Sequence, residues 1–467
     1  MAAVTSERVE AGGAVAELLA RHPDIVRAGA DVDARHVHGF RDRAGATPLA
    51  VVYPRSTAEV SSVLAICNAY RQPVVPQGGM TGLAGGVFTT AGCIALSLER
   101  MRAIEELDPA AQTITVEAGV TMQAVQEAAD AAGMLYPLDL GGRGTAQVGG
   151  NASTNAGGNR VLRFGMAKDL VLGYEAVLAD GTVVGTLNKM LKANTGYDLK
   201  HLFLGSEGTL GIITRLVLRL FPKPKSTCLG LCAVNDFDAV LKLLARSREE
   251  LGTTLSAFEL MWPEVYRLSA SMPGRRMPLK PGAGGYVLIE TMGTHPEDDE
   301  RHFEALMEGA LAGGIVTDAV ICRSARDVAN LWEIRDLAGI ARRELGPQVG
   351  FDISVPTGKI GAFIAEVERR LKPRWPEAST TCFGHVADGN IHFGVLTGNA
   401  AIPSAEIETL VYETLAEFGG AVSAEHGIGV QKRKALHYSR TEEEIALMRR
   451  LKAMMDPNGI LNPGKVL

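Results

Sequence analysis

No stretch of 18 consecutive apolar residues occurs in the 467-residue chain, so no membrane-spanning helix is expected. No basic domain or stripe stands out, and the net charge is −6 with a pI near 6.0, which argues against a nucleic-acid partner. Met1 to Arg21 lacks a basic segment followed by an apolar one, so no secretory signal is read there. Cysteine is sparse. The six residues (Cys67, Cys93, Cys228, Cys232, Cys322, Cys382) are scattered, and the close pair Cys228/Cys232 has no second pair to complete a metal knuckle. They read as reduced, mostly buried thiols of a cytoplasmic protein, with peripheral membrane association left open. Aromatics are few: 13 Phe, 9 Tyr and 3 Trp.

What is present is ordinary globular composition, 46% hydrophobic and 21% charged with a mean hydropathy of +0.09, enough for two or three domains. Glycine is the exception, at 53 residues, and it is clustered between Pro76 and Glu99 and again between Gly141 and Gly165. Clustered glycine lets backbone approach a ligand and adopt positive φ. The chain opens strand–helix–strand: Ala50 to Tyr53, Thr57 to Tyr70 with Val60, Val63, Leu64 and Cys67 at helical spacing, then Pro73 to Pro76. Further strands are expected at 93–98, 113–116, 170–178, 182–185 and 212–221, with a helix over 122–132 and an irregular stretch over 137–165. Phe221-Pro222-Lys223-Pro224-Lys225 reads as a linker. Beyond it, two strand–helix–strand units, with helices over 237–250 and 298–312, predict an antiparallel sheet with helices on one face.

Gln77-Gly78-Gly79-Met80-Thr81-Gly82-Leu83 leaves a strand carrying amide donors, a hydroxyl and no acid, which suits a phosphate. No GxGxxG occurs, and neither Gly-Lys pair precedes Ser or Thr, so a Rossmann site or P-loop is disfavoured. The alternative is a plain glycine turn. The segment Gly149-Gly150-Asn151-Ala152-Ser153-Thr154-Asn155-Ala156-Gly157-Gly158 offers amides and hydroxyls for a ring edge or ribitol chain. Together the two segments imply a long ligand with a pyrophosphate and a polar ring system.

A second constellation is His385 and His392, seven apart across the turn signal Asp388-Gly389, with Glu425 further on. Two histidines and a carboxylate make a divalent-metal site that keeps positions open. On spacing alone, a core His392 and a surface Glu425 are the competing reading. In Leu331-Trp332-Glu333-Ile334-Arg335, at about 100° per residue, Arg335 lies about 40° from Leu331 at the edge of the apolar stripe. Arg342 falls within the same arc. Arg335 is either a solvated arginine or a planar fork for a carboxylate.

The Gln77 loop, the Gly149–Gly158 segment, Leu204-Gly205-Ser206-Glu207-Gly208-Thr209-Leu210-Gly211 and the tail Asn458 to Lys465 together resemble the FAD-linked D-2-hydroxyacid dehydrogenases of the vanillyl-alcohol-oxidase flavoprotein superfamily. The resemblance runs from about Tyr53 to the C-terminus. It implies an α+β fold: a two-part FAD-binding domain of that superfamily (1–222, with 421–467 returning to it) and a ferredoxin-like antiparallel-sheet substrate domain (223–420). It assigns FAD contacts to Pro76, Gln77, Gly78, Gly79, Met80, Thr81, Gly82, Leu83, Pro137, Asp139, Gly149, Gly150, Ser153, Asn155, Gly158, Glu207, Gly208, Ile213 and Asn462. Met80 stands where some relatives carry a flavin-linked histidine, so the FAD is expected to be non-covalent. The metal, zinc first with manganese or iron as alternatives, falls on His385, His392 and Glu425, and Asn390 and His426 fall on substrate-contacting positions.

The implied reaction is oxidation of a D-2-hydroxy acid to the 2-oxo acid. Arg335 would hold the carboxylate, the metal would act as Lewis acid and His426 as general base. Members acting on dicarboxylates tend to carry a hydroxyl residue and a lysine where this chain has Gly339 and Gly350. The expected substrate is therefore a monocarboxylate such as D-lactate or a bulkier acid such as D-mandelate, with D-2-hydroxyglutarate or a glycolate-oxidase-type subunit as alternatives. Further rivals are an alkyl-phosphate synthase or aryl-alcohol oxidase of the same fold, a non-catalytic flavin subunit, and a metal-dependent hydrolase. A quinone or an electron-transfer flavoprotein is the expected electron acceptor, and a homodimer is allowed for.

Overall fold

The structure is a computed structural model that describes residues 13–37, 45–398 and 402–467. The expected opening is present as Ala50–Val52, Thr57–Ala69 and Val74–Gln77. The Ser56 hydroxyl starts the helix by accepting the Glu59 amide at 3.2 Å, and Val60, Val63, Leu64 and Cys67 form its buried face. Both strands pair in parallel with Ile94–Ser97, in a four-stranded sheet completed by Val26–Ala28. The glycine loop therefore leaves the carboxyl end of a parallel strand, where open sheets hold ligands.

A five-stranded antiparallel sheet follows, ordered 104–108, 113–117, 212–219, 171–177, 183–186. Two expectations need correction here. The 137–165 stretch is not wholly irregular: it contains the short helices Val148–Ser153 and Val161–Phe164, too brief to show a period. Glycine is needed in the first because a Cβ at Gly149 would lie 2.5 Å from that of Ala118. The proposed linker is also not free. Phe221–Pro222 pairs with Met134–Leu135 as a two-residue ladder, an edge position that tolerates proline.

The next sheet has seven strands, all antiparallel, ordered 318–321, 226–234, 285–293, 255–261, 379–384, 390–396, 348–354. Its first four strands, with helices Phe237–Leu251 and Pro296–Ala312, form the βαββαβ ferredoxin-like unit. Helix Ala325–Asp336 buries Leu331 and Ile334 against Phe383 on the opposite face, so the sheet is covered on both sides. The chain returns to the first sheet later than residue 421. Val422 and Ala435 still pack in the core of the seven-stranded sheet, whereas Ile460 and Leu461 join the first core through a parallel bridge from Leu461 to Val74. Among the described residues no helix is long and apolar enough to cross a membrane.

Candidate active site

The glycine loop, the helix at 148–153, the turn at Glu207 and the C-terminal Asn462 enclose a cleft of about 710 Å³. Of the expected FAD residues, Pro76, Gln77, Gly78, Gly82, Gly149, Gly150, Ser153, Glu207, Gly208, Ile213 and Asn462 line it. Three features fit a large polar cofactor. A Cβ on Gly82 or Gly150 would meet no protein atom within 4 Å, so these glycines leave room rather than fill it. Gln147 Oε1 and Asn462 Oδ1 are buried at the cleft without a hydrogen-bond partner. Glu207 and Asn462 are held at φ +54° and +42°, a strain that collects at ligand sites. Burial raises the Glu207 carboxyl, and the amides of Ile428 and Gly429 that it accepts oppose the rise.

Other expected residues sit elsewhere. Gly79 is pressed onto the carbonyl of Thr145, and with Met80 (φ +59°) it borders a neighbouring cavity. Asp139 is paired with Arg160 at 2.8 Å and Arg143 at 3.3 Å. The Asn155 amide bonds Met166 Sδ and the Lys168 N–H. Gly158 allows close approach to the Asp139 carbonyl. Thr81, Leu83 and Pro137 do not line the cleft either.

Beside the cleft the three histidines converge on Glu425. The turn does what the sequence suggested: Val386–Asp388 makes one 3₁₀ turn, Gly389 takes φ +85°, and the His385 and His392 rings end 5.6 Å apart. His385 Nε2 lies 3.9 Å from Glu425 Oε2, and His392 Nε2 and His426 Nε2 each lie 3.6 Å from Oε1. Asp352, His392, Glu425 and His426 together offer ligand atoms within 4.8 Å of one another. Nitrogen and carboxylate donors at this spacing suit a divalent first-row ion. Burial drives His392 down to about 3, against the pull of Glu425 and Asp352, so its ring is neutral and ready to ligate. Burial would also lower His385, but Glu259 outweighs it and holds that ring up at about 9.

Three buried acids escaped the sequence reading. Glu259, 1% exposed, accepts Arg335 Nε at 2.8 Å and His385 Nδ1 at 2.5 Å. It orients the His385 ring, with Nδ1 on Glu259 and Nε2 on the side of Glu425. Arg335 is buried, its Nε and Nη2 are engaged by Glu259, and Nη1 lies 3.9 Å from Asp336. Asp352 accepts the backbone amide of His426 at 2.9 Å, Asn390 Nδ2 at 2.9 Å and Lys432 Nζ at 3.3 Å. Burial opposes its ionisation, yet His426, Lys432 and His392 keep it far below the carboxylate range. Glu290, also 1% exposed, is bound by Arg160 and by Trp332 Nε1 and ties the two halves together. Glu259, Glu290 and Asp352 share one signal: the single charged residue of its strand, which burial permits only with partners.

Residues 48–186 match the family model "FAD binding domain" and residues 223–466 match "FAD linked oxidases, C-terminal domain". The chain belongs to the FAD-linked oxidases. Within that family it is similar to D-2-hydroxyacid dehydrogenases. It is 39% identical to the mitochondrial D-2-hydroxyglutarate dehydrogenase of Bos taurus, over 89% of this chain and 76% of that one. It is 37% identical to a mitochondrial Schizosaccharomyces pombe protein provisionally named a D-lactate dehydrogenase, over 93% and 85%. The solved structure of p-cresol methylhydroxylase shares the fold, with a TM-score of 0.77 at 17% identity over 98% and 97%. The protein is an FAD-dependent oxidoreductase, and its fold is the expected pairing of an FAD-binding part with an antiparallel-sheet domain.

The cytoplasmic expectation is overturned, because the relatives from rice, Arabidopsis, cattle and zebrafish are mitochondrial proteins. The inference was weak at its root. Free cysteines do not distinguish one compartment from another.

Proposed function

We propose that the chain oxidises a D-2-hydroxy acid to the 2-oxo acid, with D-2-hydroxyglutarate as substrate. The observation that carries the reaction is the position of His426, which lines the FAD cleft and also belongs to the cluster around Glu425. One substrate carbon can then face the flavin while its hydroxyl faces the imidazole. Arg335 takes the substrate carboxylate on Nη1, its other nitrogens being fixed by Glu259. Asn390, held by Asp352, leaves its buried Oδ1 unpartnered for a substrate group. His426 accepts the hydroxyl proton at Nε2 while Asp352, 3.5 Å from Nδ1, stabilises the resulting charge. The C2 hydrogen leaves with its electron pair toward the cleft, and C2–O becomes a double bond.

When bound, non-covalent FAD supplies the two-electron acceptor. A divalent ion held by His385, His392 and Glu425, zinc, manganese or iron, supplies a Lewis acid for the hydroxyl. Reoxidation falls to an external acceptor such as a quinone or an electron-transfer flavoprotein.

The substrate choice is supported by the cattle relative and by bacterial relatives from Xanthomonas citri and Stutzerimonas stutzeri, all named D-2-hydroxyglutarate dehydrogenases. A monocarboxylate such as D-lactate or D-mandelate is the second reading, favoured by Gly339 and Gly350 and by the fission-yeast relative. Steady-state kcat/KM on the three acids tests the choice. D-2-hydroxyglutarate should lead, and a clear lead for D-lactate or D-mandelate would reverse the assignment.

A further inference from the structure

Two buried acids lie under one helix. Glu259 and Glu290 sit on neighbouring antiparallel strands, where Glu259 pairs with Leu288 and Glu290 with Ala257. Residues two apart on a strand share a face. Tyr286 and Leu288 pack with Leu331 and Ile334 of helix Ala325–Asp336, so both carboxylates are on the face that this helix covers. Glu259 accepts Arg335 Nε at 2.8 Å, and Glu290 accepts the indole N–H of Trp332 at 3.2 Å. Trp332 and Arg335 are three residues apart, hence neighbours on the helix surface. The helix is pinned to the sheet at two points, and one of them is the arginine assigned to the substrate carboxylate.

The cation on Glu290 comes from the other half of the molecule. Arg160 Nε donates to Oε1 at 2.8 Å and Nη2 to Oε2 at 3.0 Å, and the guanidinium carbon lies 5.8 Å from the centre of the Trp332 ring. With the Ser256 hydroxyl at 2.7 Å on Oε1, Glu290 accepts four hydrogen bonds, which fills a carboxylate. Arg160 Nη1 reaches back to Asp139 at 2.8 Å. The segment that delivers this arginine starts on the FAD cleft at Gly150 and Ser153. It passes Gly157, where a Cβ would lie 3.3 Å from Glu425 Oε2, and ends at Arg160 before helix Val161–Phe164. One short stretch of chain therefore touches the cofactor cleft, the histidine–carboxylate cluster and the support of the Arg335 helix.

We propose that Arg160 is a positioning residue for Arg335, acting through Glu290 and Trp332 to set how the helix presents Arg335 Nη1 to the substrate carboxylate. This rests on the reading that Arg335 receives that carboxylate. Without Arg160, Glu290 is a buried carboxylate stripped of its counter-charge, a state relieved by taking up a proton or by shifting toward water. Either response loosens Trp332 and the helical turn that bears Arg335. His426 is held separately, through Asp352, so the loss falls on substrate binding more than on the chemical step.

Steady-state kinetics on the FAD- and metal-loaded protein test this, with D-2-hydroxyglutarate and D-lactate, which share the C1 carboxylate. Arg160→Gln should raise KM for the better of the two about 10- to 100-fold, with kcat and flavin content close to wild type. Trp332→Phe keeps a ring and the Arg160–Glu290 pair but removes the N–H, and it should raise KM as well. The double variant should do no more than Arg160→Gln alone, because both changes break one path. A residue that only stabilises the fold would lower Tm and the active fraction and leave KM where it was. A wild-type KM in either single variant, or additive losses in the double variant, while Arg335→Lys raises KM, would overturn the role of Arg160 and leave the reading of Arg335 standing. If Arg160→Gln does not fold, Trp332→Phe decides by the same criterion. A wild-type KM in Arg335→Lys would overturn both.

Discussion

Replacing Glu259 by Gln should injure stability and metal binding together, because this one carboxylate holds both Arg335 and His385. Burial alone would raise its pKa. Arg335 and His385 overcome that and bring it from 4.5 to about 2. A drop of that size gives the folded state roughly 3 kcal/mol at neutral pH. The figure agrees with the ~3–5 kcal/mol lost when one partner of a buried ion pair is removed. For a cooperative unit of 150–250 residues this is roughly 6–12 °C in Tm. The sign fixes the pH window. A depressed carboxyl stabilises above its unfolded pKa, so the gap between wild type and Glu259→Gln should be full at pH 7 and shrink from about 4.5 toward 2. The same substitution loosens the His385 ring, which should cost about 10–100-fold in affinity for the divalent ion. Thermal unfolding across pH and calorimetric metal titration read the two effects. Wild-type stability at pH 7 with wild-type metal affinity would refute the account of Glu259.

Other substitutions separate the remaining parts. His426→Ala should lower kcat by about 10²–10⁴ while the protein stays yellow, and stopped-flow flavin reduction would read the loss. Gly150→Leu should fold normally, since a Cβ there meets no protein atom within 4 Å, but purify without flavin absorbance. Treatment with a chelator should abolish turnover without releasing flavin, and titration with Zn²⁺ or Mn²⁺ should restore it.

Much of this molecule was legible in its residues because the decisive signals are local. The glycine loop after Val74–Gln77, the Asp388-Gly389 turn and the helix carrying Arg335 each declare themselves within a dozen residues. The short helix at 148–153 was not legible, since six residues make less than two turns and show no period. The strand at Phe221–Pro222 exists only because Met134–Leu135 lies beside it. Glu259, Glu290 and Asp352 are invisible to spacing arguments, because their partners lie 34 to 130 residues away along the chain.

The most direct test of the central claim is anaerobic mixing of the FAD- and metal-loaded protein with each enantiomer of 2-hydroxyglutarate, followed at the flavin absorbance. The D enantiomer should bleach the flavin within the enzyme's turnover time and yield one equivalent of 2-oxo acid, while the L enantiomer leaves the spectrum unchanged. A flavin that stays oxidised with D-2-hydroxyglutarate, D-lactate and D-mandelate alike would contradict the account.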